Sequence, residues 1–67
     1  MSADPLDTKR EVADKRAGLI LAIRTRATRE AQLKHADAYI ASIQAHSKAT
    51  GRKFPVPNRY AIIRSLG

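Results

Sequence analysis

Apolar side chains along this chain fall into two helical arcs that do not line up with one another. At about 100° per residue, Val12, Ala13, Leu19, Ile20, Ile23, Ala27 and Ala31 share one arc. Leu33, Ala36, Ile40 and Ile43, with Tyr39 at the edge, share an arc on nearly the opposite side. The phase changes within "RTRATRE", residues 24–30. Two arrangements account for this. The chain can turn there, with Thr25 or Thr28 capping a second helix, to give an antiparallel hairpin. It can also continue as one helix of about 65–70 Å at 1.5 Å per residue, presenting two faces to two neighbours. No glycine or proline marks a turn, yet a chain this short rarely supports so long a helix alone. The pattern favours the break, with helices over 5–27 and 29–50.

The ends of these helices carry recognisable signals. Asp4 can cap, Pro5 suits the first helical position, and Asp7 places negative charge in the first turn. Gly18 is the one interior breaker, at a cost of about 1 kcal/mol relative to alanine. Gly51 is a C-terminal stop, and Lys48 in the preceding turn favours that end of the dipole. Phe54 and Val56 each precede a proline, which biases residues 51–57 to an extended or polyproline path. Asn58 is a natural N-cap, so a short third helix is expected over 58–66, docked through Tyr60, Ile63 and either Ile62 or Leu66. The expected fold is all-α, one small domain over 1–67.

Size limits what such a fold can do alone. The chain has 67 residues and no cysteine, which removes disulfides and thiolate metal sites. Single cores below roughly 70–80 residues rarely supply more than about 3–5 kcal/mol. Much of the apolar content is alanine, which buries little area. Self-association is therefore expected, through Leu19, Ile20, Ile23, Ile40 and Ile43 on the two arcs. No apolar run approaches the roughly 18–20 residues that span a bilayer. The N-terminus carries aspartates where a secretory signal would carry a basic and an apolar region. A soluble, cytoplasmic protein is expected.

Charge changes the picture most. The formal net charge is +7. Residues 1–8 hold Asp4 and Asp7 without a cation, and residues 9–34 hold eight cations against three acids. Residues 35–50 balance Asp37 against Lys48, and residues 51–67 hold four cations and no acid. A basic chain suits polyanionic partners: nucleic acid, an anionic membrane surface or an acidic protein.

Catalysis has no support in the residues. There is no glycine-rich phosphate loop and no histidine–carboxylate motif, and His35 and His46 lack a carboxylate cluster at ligand spacing. Asp37 does not alter this, since residues two apart on a helix point in different directions. No enzyme activity, cofactor or metal is expected.

Two stretches are candidates for binding. "RTRATR" places Arg24, Arg26 and Arg29 within six residues, and guanidinium groups bind phosphate bidentately. The competing reading is a solvated flank beside the apolar arc. "GRKFPVPNRY" carries Arg52, Lys53, Asn58 and Arg59, with Arg64 following. A cation in the first turn of a helix opposes the dipole, so Arg59 is not there for helix stability alone. If that helix entered a major groove, Asn58 would suit adenine and arginine would suit guanine. The competing reading is a structural clip, with Phe54 and Val56 holding the last helix on the core. The connection from Thr50 to Pro57 is about twice the three or four residues of a helix-turn-helix.

The leading expectation is an oligomeric, basic nucleic-acid-binding protein, with duplex DNA the first choice of partner and a regulatory or accessory role. The alternative is a non-enzymatic protein-interaction module using its amphipathic faces. A membrane-surface helix around Leu19–Ile23 is the weakest option, given the lack of tryptophan and the many alanines.

Overall fold

Aspartate, threonine and asparagine caps divide the chain into three helices. The computed structural model describes residues 4–55 and 58–67. Among them, α1 spans Pro5–Arg24, α2 spans Arg29–Thr50 and α3 spans Arg59–Leu66. Val56 and Pro57, and with them part of the expected extended segment, lie outside the described residues.

Each helix begins on a side-chain oxygen that takes an otherwise orphaned backbone N–H. Asp4 accepts from Leu6 at 3.0 Å, Thr28 from Ala31 at 3.2 Å and Asn58 from Tyr60 at 2.8 Å. Pro5 opens α1, where its missing N–H leaves no bond unmade. Gly51 ends α2 in the left-handed region, at φ 71°.

The break between α1 and α2 is present, but it falls earlier than the pattern implied. Helix α1 ends at Arg24, short of the expected residue 27. The reason is a Schellman turn. The Ala27 N–H donates to the Ala22 carbonyl at 2.9 Å, and the Arg26 N–H donates to the Ile23 carbonyl at 3.1 Å. Arg26 occupies the left-handed position of that turn, at φ 55°. Glycine is the usual residue there, which is why the composition hides the stop. The Gln32 side chain then donates to the Ala27 carbonyl at 2.9 Å and closes the turn from the α2 side.

Turning the chain at residues 25–28 brings the two opposed arcs face to face. Helices α1 and α2 run antiparallel. Near one end, the Thr8 hydroxyl lies 2.9 Å from His46 Nδ1. Midway, the position a Cβ would take on Gly18 lies 3.5 Å from His35 Nδ1. Helix α3 crosses back over α2 and covers the seam. Leu19, Ala36 and Ile62, one from each helix, form the buried centre, with Ile23, Tyr39, Ile40, Ile63 and Leu66 packed against it. Leu19 is fully buried.

This packing removes Leu19 from the surface expected to serve self-association. Leu19 is enclosed within one chain, and Ile23 and Ile40 serve the same core. Ile20 and Ile43 are half-buried. Among the described residues the large apolar side chains left exposed are Leu6, Leu21, Phe54 and Tyr60. In the last helix Ile62 is the docking residue, with Ile63 and Leu66 beside it, whereas Tyr60 stays 48% exposed. No helix among the described residues is long and apolar enough to cross a membrane.

Candidate nucleic-acid interface

The antiparallel arrangement sorts the charges by position along the bundle, whose longest dimension is 36 Å. Arg24 ends α1, Arg26 sits in the turn and Arg29 opens α2, so all three belong to one pole. Helix α3 returns to the same pole. Its C-terminal Gly67 approaches Ile23, with 3.8 Å between a notional Cβ and Ile23 Cγ2. Arg64 shares a cleft with Arg29. Two arginine groups separated by more than thirty positions in the chain thus meet in space.

That cleft has a volume of about 520 Å³ and is lined by Arg29, Tyr60, Ile63 and Arg64. Around it, Arg24, Arg26 and Arg64 are solvent-exposed. The nearest acid in the sequence, Glu30, lines a different groove with Leu33, Lys34, Asp37 and Arg59. Among the described residues the one ion pair is Arg59–Asp37. None of Arg24, Arg26, Arg29 and Arg64 is in an ion pair among the described residues, and Glu30, in the first turn of α2, is the acid beside them, so the turn pole is net cationic. Phosphate is the chemistry that such a surface accepts, through charge-assisted and bidentate bonds from guanidinium.

Other expected contact residues are placed elsewhere. Arg52 and Lys53 follow the C-terminus of α2 and so lie a helix length, roughly 30 Å, from Arg29. They do not converge with Arg64, as a single C-terminal binding segment would require. The Thr8–His46 contact puts Asp4 and Asp7 at that same far pole, so its cations face a mixed charge field. Asn58 uses its side-chain oxygen to cap α3. Reading adenine needs both the amide and the oxygen, so a base contact would compete with the cap for that oxygen.

Arg59 is also committed. Its guanidinium donates to Asp37 Oδ2 at 3.2 Å and lies 5.3 Å from the centre of the Tyr60 ring. Its pKa is held above the ordinary arginine value, first by the Tyr60 side chain and then by the charge of Asp37. It stays cationic, and its neutralisation comes from pairing. Both side chains are well exposed, at 42% and 56%, so the pair adds little stability.

Phe54 acts as a clip, at a different place from the one expected. Its ring stacks on His46 at 5.4 Å between centroids, and His46 meets Thr8. It thus packs the segment after α2 onto the end of that helix, on the histidine that meets the start of α1. The core, with Ile62, holds α3.

Sequence reasoning missed two groupings. Tyr60 and Arg64 stand four apart, which puts them on one stripe of α3, and this spacing was the available signal. Lys15, Lys34 and His35 meet across the α1–α2 seam, and only the register set by the turn brings them together. Comparison of the chain with protein-family models, curated proteins and solved structures gives no match.

Proposed function

We propose that this chain is a non-enzymatic nucleic-acid-binding protein that holds duplex DNA by phosphate contacts at its turn pole. The supporting observation is the meeting of Arg29 and Arg64 in one cleft at the pole that also holds Arg24 and Arg26, none of the four in an ion pair among the described residues. Arg24, Arg26, Arg29 and Arg64 are the contact residues of this proposal. Arg52 and Lys53 contribute only long-range attraction, and a regulatory or accessory role follows from binding without catalysis.

Salt-titrated binding to duplex DNA, single-stranded DNA and RNA tests it. Each phosphate contact adds about 0.9 to the slope of log K against log salt on duplex DNA. Replacing Arg29 and Arg64 with alanine should flatten the slope by about 1.8 on that basis. The Arg52→Ala, Lys53→Ala pair should leave it nearly unchanged. A wild-type protein that binds none of the three at low salt overturns the proposal.

A second, compatible reading is favoured by an apolar groove of about 300 Å³ lined by Tyr39, Ala61, Ile62, Ser65 and Leu66. With Leu21 62% exposed on another helix, it supports self-association, in which a second copy covers the groove. This surface replaces the fully buried Leu19 as the basis for an oligomer. Sedimentation equilibrium giving a concentration-independent monomer mass through the micromolar range rejects it.

A further inference from the structure

Tyr60 belongs to a helix that docks through Ile62, yet the residue itself is 48% exposed. Arg59 lies over one part of the Tyr60 ring, 5.3 Å from its centre, and turns into a different groove toward Asp37. Tyr60 also lines the cleft with Arg29, Ile63 and Arg64, and Arg59 is not among the residues that line it. Phosphate contacts alone account for the two arginines. They do not account for an aromatic ring and an isoleucine presented beside them.

A π face next to guanidinium groups matches the two halves of a nucleotide, the base and the phosphate. The cleft volume of about 520 Å³ falls in the range of roughly 300–1,000 Å³ usual for small-ligand clefts. A base inside a duplex is stacked on its neighbours and cannot enter such a concavity, whereas an overhanging or extruded one can. We infer that the cleft is a subsite for one unpaired nucleotide, with its base on Tyr60 and Ile63 and its phosphate between Arg29 and Arg64. This rests on the nucleic-acid reading above and narrows it. Arg29 and Arg64 hold whichever phosphate lies at the mouth of the cleft: a duplex phosphate in blunt DNA, and the phosphate leading into the unpaired nucleotide where there is one.

The test is fluorescence anisotropy at fixed salt with three labelled DNAs. One is a blunt duplex, the second carries a short unpaired extension, and the third has that extension made abasic. Base–aromatic stacking on a partly exposed tyrosine should tighten binding of the extended duplex by roughly 5- to 10-fold over the blunt one. The abasic extension should lose that gain. Tyr60→Phe should keep it and Tyr60→Ala should lose it, both with wild-type circular dichroism and unchanged blunt-duplex affinity. Thymidine monophosphate, but not inorganic phosphate, should displace the extension.

An abasic extension that binds as tightly as the normal one overturns the inference, because phosphates alone then explain the gain. Equal affinity for blunt and extended duplex, without an effect of the monophosphate, also overturns it and leaves the proposed duplex binding intact. Monophosphate binding without any gain from the extension keeps the subsite and assigns it to free nucleotides. Failure of every DNA to bind at low salt removes the parent proposal instead.

Discussion

Arg26 holds a backbone conformation that suits glycine, at the pole where cations gather. Arg26→Gly separates the two roles of this residue. A left-handed conformation costs an L-residue roughly 1–2 kcal/mol. Glycine avoids that cost but gives back part of it, about 0.5–1 kcal/mol, through its greater freedom in the unfolded chain. The net expectation is a stabilisation of about 0.5–1 kcal/mol. For a domain of this size each kcal/mol moves Tm by about 4–8 °C, so Tm should rise by roughly 2–8 °C. Binding should move the other way. One lost phosphate contact flattens the duplex-DNA salt slope by about 0.9. Arg26→Ala is the control, since it removes the charge and keeps the backbone problem. It should lose the same slope and gain less stability than the glycine variant, only what removing one like charge from the pole returns. Thermal melts by circular dichroism and salt-titrated anisotropy on the three proteins give the answer. A glycine variant that melts at or below the wild type would refute the Schellman turn with Arg26 at its left-handed position. A glycine variant with an unchanged salt slope would remove Arg26 from the contact surface.

Gly18→Ala should stabilise by up to about 1 kcal/mol, read as a higher Tm. A methyl there meets His35 Nδ1 at 3.5 Å, an ordinary contact. Leu19→Ala should cost about 2–5 kcal/mol, comparable with the whole stability of so small a core, and abolish the cooperative melt. Asp37→Asn should change stability by less than about 1 kcal/mol and tighten DNA binding severalfold, because it frees the Arg59 guanidinium. Phe54→Ala should lower Tm by loosening the α1–α2 far pole while leaving the DNA salt slope unchanged.

Much of the fold was legible because helix ends are written in local chemistry. Asp4, Gly51 and Asn58 each act as caps in the manner their residue types imply. The phase change between the apolar arcs also marked a real turn. Its exact place was hidden, because Arg26 stands where a glycine would have shown it. The site was less legible for a different reason. Charge along the chain forms blocks, but contact in space depends on helix direction. Arg64 belongs in sequence with Arg52 and Lys53, and in space with Arg29. Antiparallel packing exchanges those neighbours, and no local signal encodes the exchange. Leu19 was misread for a related reason, since an apolar arc looks the same whether its partner is another copy or the next helix.

The same packing explains why one pole is left cationic. Antiparallel helices α1 and α2 place Asp4 and Asp7 at the same pole as Lys48 in the last turn of α2 and Arg52 and Lys53 after it. Charges of both signs therefore share that pole. At the other pole Arg24, Arg26 and Arg29 are forced together by a short turn, and α3 delivers Arg64 to them. The free protein gains nothing from this crowding: like charges repel, and Arg26 adds backbone strain. A polyanion bound at the turn pole would relieve the repulsion, and any ligand that binds the folded state alone also stabilises it. Under the proposed function, the features that weaken the isolated bundle are the ones that favour the complex. A core as small as Leu19, Ala36 and Ile62 leaves little margin to support such a pole unless the pole has a use.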